Sequence, residues 1–377
     1  MVFYINNIFK VFELKKALNS VNPNLSKIFL PFVLQNPEYF LKSYPIVKNY
    51  WCSNEIRREL LDKEGIKVPP IMILSVTPSC NLSCQGCFAF NIGNVNQDIS
   101  SAKHSLRKED WINFIDESNK LGVFSYLIAG GEPFMIPNLL DICKSYKNNL
   151  FLIFTNGTLI NDSIFSELEK LVNTLLIVSL EGNDYLTDKR RGADTFNKAF
   201  STINKLNEKN ILSGVSVTIT KDNYLYWMEE DNLQKLIDKD IKIAFFIEYI
   251  ETEASPEKLY SLNLEQRKIF REKILYYKKN KNIFIIHSPG DEDAFGGCVS
   301  SGIGFAHINP YGDVTPCPVT NVSSHNIKTS SFKEALKSDF FVAIRENKKL
   351  LENNDSACSL ALKVKELEQL KNRKFDS

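Results

Sequence analysis

Cys80, Cys84 and Cys87 stand four and three residues apart in Cys80-Asn81-Leu82-Ser83-Cys84-Gln85-Gly86-Cys87, shortly after the β-branched run Ile71 to Val76. Soft thiols at that density suit zinc or an iron–sulfur cluster. A structural zinc site normally closes with a fourth nearby Cys or His, and the sequence through Asn96 supplies none. A four-iron four-sulfur cluster held by three cysteines leaves one iron open to a substrate or cofactor. Three more cysteines, Cys298, Cys317 and Cys358, lie toward the C-terminus, the first two flanking Ile308 to Val314, which reads as a hairpin. Cys52 and Cys143 read as plain core thiols.

The elements that must position these groups alternate. Ile71 to Val76, Phe124 to Ile128, Leu150 to Phe154, Leu175 to Leu180, Gly214 to Ile219 and Lys242 to Tyr249 read as strands. Arg107 to Leu121, Pro137 to Lys147, Asp162 to Leu171, Thr195 to Asn207 and Glu229 to Asp238 carry helical spacing between them. Repeated βα units predict an α/β fold with a parallel sheet, a partial (β/α)6 TIM-like barrel whose working loops follow the carboxyl ends of its strands. Glycine, Asn and acidic residues occur there: Gly130-Gly131-Glu132-Pro133, Thr155-Asn156-Gly157 and Ser179-Leu180-Glu181-Gly182. Glu248 ends the sixth strand, either as a catalytic base or paired with a basic core residue; His287 and His307 stay undecided.

Residues 1–70, cut by Pro23, Pro31, Pro37 and Pro45, read as an N-terminal cap of short helices. Their amphipathic segments pack on the main domain or, alternatively, touch a membrane surface or a partner. Residues 71–285 form the expected barrel, and 286–377 a Gly-, Pro- and Cys-containing module with a helical tail.

The 377 residues carry a net charge of +1, with 24% charged and 44% hydrophobic side chains, which disfavours disorder and a dedicated nucleic-acid binder. No apolar run approaches the ~20 residues that span a bilayer. The N-terminal residues carry no export signature, so a cytoplasmic protein with reduced thiols is expected.

Cys80, Cys84 and Cys87 match the CxxxCxxC signature of the radical S-adenosylmethionine (radical SAM) superfamily, and Gly130 to Pro133 resembles its GGEP motif. The resemblance implies a four-iron four-sulfur cluster whose open iron chelates S-adenosylmethionine and cleaves it to methionine and a 5′-deoxyadenosyl radical. It implies cofactor contacts from Gly130, Gly131, Glu132, Asn156, Ser179, Glu181 and Arg191, with Arg190 as a substitute for Arg191. Alternatively, Arg191 is a solvated charge and Asn156 a turn residue. Many members have an aromatic residue where Gly86 stands; Phe88 is expected to shield the cluster or contact adenine instead.

Cys298, Gly302, the hairpin and Cys317-Pro318, with Cys358, resemble the SPASM and shorter Twitch extensions that bind auxiliary iron–sulfur clusters. Three cysteines allow one such cluster, with Cys52, Cys143, His307, a substrate atom or water as fourth ligand. The resemblance implies hydrogen abstraction from a peptide or protein, with a reductant such as ferredoxin or flavodoxin. The alternatives are radical modification of a lipid or small metabolite, with peripheral membrane contact, and a non-catalytic iron–sulfur or zinc protein.

Overall fold

Ten strands form one sheet: β1 (Ile71–Ser75), β2 (Ser125–Ala129), β3 (Leu150–Thr155), β4 (Thr174–Ser179), β5 (Ser213–Ile219), β6 (Ile243–Glu248), β7 (Phe284–Ser288), β8 (Phe305–Ile308), β9 (Asp313–Thr315) and β10 (His325–Asn326). Their order is β10-β9-β8-β1-β2-β3-β4-β5-β6-β7 in a computed structural model that describes residues 2–35, 37–95, 105–253, 260–352 and 357–373. β1 to β7 run parallel, each joined to the next by a crossover, as the βα alternation predicts.

Two features extend the expected six strands. β7 adds a seventh parallel strand, and the boundary drawn at 285 falls inside it. Its pattern is short and interrupted by His287, so it carries little of the β-branched signal that marks the others. β8, from the C-terminal module, pairs in parallel with β1 through Ile71↔Phe305 to Leu74↔Ile308. The cysteine-bearing module is therefore continuous with the strand that leads into Cys80, and β9 and β10 add antiparallel edges to it.

Three helices precede the sheet: α1 (Val2–Val21), α2 (Leu25–Gln35) and α3 (Pro37–Glu64). Along the parallel strands come α4 (Phe88–Asn91), α5 (Lys108–Lys120), α6 (Leu140–Ser145), α7 (Asp162–Leu168), α8 (Asp184–Arg191), α9 (Thr195–Glu208), α10 (Tyr224–Met228), α11 (Glu230–Asp238) and α12 (Leu264–Asn280). α13 (Phe332–Lys337), α14 (Asp339–Glu346), α15 (Lys348–Leu351) and α16 (Val364–Asn372) follow the last strand.

The strands are apolar on both faces because both are covered. Met72, Leu74, Tyr126, Phe151, Ile153, Leu176, Val215 and Phe246 pack with Trp111, Phe114, Phe165, Ile203 and Phe270 of the crossover helices. One residue along, Leu152, Leu175, Ile177, Ile243 and Phe245 pack with Leu14, Ile28, Phe29, Phe32 and Phe40 of α1 to α3. Pro31 and Pro45 lie inside α2 and α3 rather than ending them. A proline inside a helix costs about 3 kcal/mol. Each buried aromatic or aliphatic side chain returns roughly 1.5–3 kcal/mol, so packing on the sheet overrides the local break. Among the described residues, no helix is long and apolar enough to cross a membrane.

Candidate active site

The loop after β1 is laced to the turn after β2. Val76 N donates to Ala129 O (2.9 Å), Gly131 N to Thr77 O (2.8 Å) and Glu132 N to Ser79 O (2.9 Å). A Cβ at Gly131 would lie 1.9 Å from Ser79 O, and one at Gly130, whose φ is +131°, would lie 2.6 Å from Thr77 O. Both glycines thus admit the backbone that launches Cys80, a closer constraint than the ligand contact expected of them.

Cys80, Cys84 and Cys87 are free, half-buried thiols on this loop. Leu82 N points at Cys80 Sγ (3.5 Å) and Cys87 N donates to Cys84 O (3.3 Å) within the loop. Burial pushes the Cys80 thiol up to about 11, and the neighbouring Cys84, Glu132 and Cys87 add to the rise. Among the described residues no three His, Cys, Asp or Glu side chains close around a single ion. A four-iron cluster takes one thiolate per iron, and three thiols on one loop suit it by their chemistry.

Glu132 is 1% exposed. Its Oε1 accepts from Thr155 Oγ1 (2.7 Å) and Phe134 N (3.1 Å), and its Oε2 from Asn156 N (2.7 Å). Burial raises this carboxyl, and those hydrogen bonds and the Arg191 charge oppose the rise. Two lone-pair sites serve each oxygen, so Oε2 keeps one for a further donor. Asn156 Nδ2 donates to Asn81 Oδ1 (2.8 Å), and Asn81 Nδ2 to Thr158 Oγ1 (2.8 Å), which tie the cysteine loop to the end of β3 as well.

Glu181, 1% exposed, joins β4 to α8. Its Oε1 accepts from Arg190 Nη1 (2.7 Å) and Arg191 Nε (2.8 Å), and its Oε2 from Thr218 N (3.1 Å). Arg190 and Arg191 thus share one buried anchor, Glu181. Burial works against the Arg190 charge, and Glu181 with the Cys84 and Cys87 thiols outweighs it. Gln85 N also donates to Arg190 O (2.8 Å), so α8 grips the cysteine loop through backbone and charge. Ser179 Oγ meets Ser216 Oγ across β4 and β5 (3.2 Å).

Phe88 begins α4 and packs partly buried against the main core. The ring beside the motif is instead that of Tyr249, which contacts Gly86. Tyr249, just past β6, has no spacing relation to the cysteines, so only the fold reveals it.

Glu248 is held on both oxygens: Oε2 accepts from Arg267 Nε (2.5 Å) and Oε1 meets His287 Nε2 (3.1 Å). Glu248 is thus paired with a basic core residue, as one of the two readings expected.

Cys298, Cys317 and Cys358 converge in the C-terminal module, each within the electrostatic reach of the others. Burial pushes the Cys317 thiol well up and the Cys358 thiol up to about 12. The buried Ser359 Oγ lies beside the Cys298 thiol. His307, fully buried, joins β8 to its neighbours through Ser75 Oγ (2.8 Å) and Thr315 Oγ1 (2.7 Å). Both its nitrogens are engaged, which removes it as fourth ligand.

Residues 74–239 match the family model described as Radical SAM superfamily, and residues 298–359 that of an iron-sulfur cluster-binding domain, SPASM. This chain is a radical SAM enzyme with a SPASM module. The sporulation killing factor maturation protein SkfB of Bacillus subtilis is 31% identical over 160 residues, 41% of this chain and 37% of that protein. The AdoMet-dependent heme synthase of Methanosarcina barkeri is 25% identical over 296 residues, 71% of this chain and 81% of that protein. The fold is that of Streptococcus suis SuiB bound to its precursor peptide SuiA, with TM-score 0.64 at 21% identity over 76% of this chain and 69% of SuiB. A radical SAM domain binds a four-iron four-sulfur cluster with S-adenosylmethionine, and a SPASM domain binds auxiliary iron–sulfur clusters. When bound, the first supplies the electron that cleaves S-adenosylmethionine to methionine and the 5′-deoxyadenosyl radical, which then takes a hydrogen atom.

Proposed function

We propose that this radical SAM enzyme modifies a peptide or protein. The observation that carries the reading is the pairing of the Cys80–Cys87 loop with a SPASM module built onto the same sheet through β8 and β1. SkfB is by its name a maturation protein, and SuiB was solved with a precursor peptide. In this reading Cys80, Cys84 and Cys87 hold the catalytic cluster and Cys298, Cys317 and Cys358 the auxiliary one. Gly130 and Gly131 seat the cysteine loop, and the remaining acceptor site of Glu132 Oε2 receives the ammonium of S-adenosylmethionine. Arg191, set between the charges of Glu181 and Glu132, takes its carboxylate. Ser179 and Asn156 bound the ribose side, and Tyr249 and Phe88 keep water from the cluster. A small reductant of the ferredoxin or flavodoxin class supplies the electron.

The long match to the heme synthase favours a second reading, a porphyrin or other small molecule as substrate. Anaerobically reconstituted enzyme, given reductant and S-adenosylmethionine, is incubated with a deuterated peptide extract and separately with a deuterated porphyrin. Deuterium entering 5′-deoxyadenosine from the peptides supports the first reading, and from the porphyrin the second. No 5′-deoxyadenosine in any mixture would sink both.

A further inference from the structure

Glu132 Oε2 is reserved for S-adenosylmethionine only if Oε1 is already occupied and the carboxylate is kept from turning. We propose that Thr155 is the positioning residue that does this, filling Oε1 so that the open acceptor site of Oε2 is left for the amino group of the cofactor. The inference rests on the reading of Glu132 as the acceptor for that group.

An ionised carboxylate offers about four lone-pair sites, shared equally between its oxygens. Thr155 Oγ1 (2.7 Å) and Phe134 N (3.1 Å) take those of Oε1, and Asn156 N (2.7 Å) takes one on Oε2. The direction of the Thr155 bond is fixed. Gly157 N, which can only donate, lies 3.0 Å from Thr155 Oγ1, so the single hydroxyl proton goes to Glu132. Thr155 is buried at the end of β3, where its partner in the ladder is Val178 of β4. Gly157, at φ +74°, lets the following turn pack on that strand and on α9: a Cβ there would lie 3.0 Å from Val178 Cγ1 and 3.3 Å from Ala199 Cα. Thr202 Oγ1, on α9, also donates to Gly157 O (2.7 Å). The hydroxyl therefore stands between a strand and a helix that hold its backbone, and a β-branched side chain has few rotamers in which to leave its place.

The donor on the other oxygen is held as well. Asn156 Oδ1 accepts from Thr158 N (2.9 Å) and Thr158 Oγ1 (2.7 Å), and Asn156 Nδ2 donates to Asn81 Oδ1 (2.8 Å). Asn81 Nδ2 returns to Thr158 Oγ1 (2.8 Å), which closes a ring of three side chains. With three donors fixed on the carboxylate, among the described residues one acceptor site stays open, and it is on Oε2.

Removing the Thr155 hydroxyl opens a second site, on Oε1, and frees the carboxylate to turn. Equilibrium dialysis of S-adenosylmethionine is run on anaerobically reconstituted parent, Thr155→Val, Thr155→Ser, Glu132→Ala and Thr155→Val/Glu132→Ala. Thr155→Val, which keeps the branch and loses the hydroxyl, should bind about tenfold more weakly. Thr155→Ser, which keeps the hydroxyl, should stay within about twofold of the parent. In the Glu132→Ala background Thr155→Val should add no further loss, because its effect passes through the missing carboxylate. 5′-Deoxyadenosine, which lacks the amino group, should bind the parent and Thr155→Val alike. Parent-like affinity in Thr155→Val, an equal loss with and without Glu132, or an equal loss for 5′-deoxyadenosine would overturn the assignment. If Glu132→Ala itself binds S-adenosylmethionine as the parent does, the reading of Glu132 fails, and the role of Thr155 with it.

Discussion

The ring of Tyr249 occupies the space that a side chain at Gly86 would need: a Cβ there would lie 2.6 Å from Tyr249 Cε2. Gly86 is also left-handed, at φ +65°. One residue before the last cysteine of the motif, the chain thus brings an aromatic ring from the end of β6 against the loop. Gly86→Ala should destabilise the protein by about 1–2 kcal/mol from backbone strain alone, and more from the clash. Thermal unfolding of Gly86→Ala, Tyr249→Ala and the double variant checks this. The double variant should be less destabilised than the sum of the singles, because removing the ring relieves the clash but not the strain.

Glu181→Ala leaves two arginines without their carboxylate, their side chains 15% and 10% exposed. Breaking a buried pair by removing one partner costs about 3–5 kcal/mol. The loss should be large in urea unfolding and should loosen the cysteine loop, which hangs on Arg190 O through Gln85. Arg190→Ala with Glu181 intact should cost less, since Arg191 continues to serve the carboxylate.

His307 makes stability depend on pH. Burial lowers its folded pKa to about 3, against 6.5 unfolded. The folded state therefore keeps the ring neutral while the unfolded chain takes up a proton below pH 6.5. Its contribution is complete above that pH and is lost on acidification toward the folded value. Between pH 7.5 and pH 5 it amounts to about 2 kcal/mol of lost stability. Urea midpoints at the two pH values should show this loss, and His307→Gln should remove that share of the pH slope.

Cys80→Ala/Cys84→Ala/Cys87→Ala should halve the iron of the reconstituted protein, from about eight to about four atoms per chain, and abolish S-adenosylmethionine binding. Iron analysis and equilibrium dialysis of the cofactor measure both. Retained cofactor affinity in the triple variant would remove the cluster from the binding site.

Much of this was legible from residue order. A parallel sheet follows from β-branched runs alternating with helical spacing, and soft thiols at short spacing point to a cluster wherever the chain folds. All six expected strands appear, because each lies between helices and is apolar on both faces. β7 was not legible, since His287 interrupts a run whose burial comes from its neighbours. Pro31 and Pro45 misled for a related reason: local propensity was outweighed by packing against the sheet.

The sequence by itself determined the donor atoms, their order and the strand ends that carry them, because those depend on side-chain chemistry and on periods of a few residues. Tertiary structure alone decided which partners they meet. It placed Tyr249 over Gly86, tied both Arg190 and Arg191 to Glu181 and closed Glu248 against Arg267. Those pairings join residues up to dozens of positions apart. They arise only when crossovers and packed faces bring the strand ends together, and no local spacing encodes that approach.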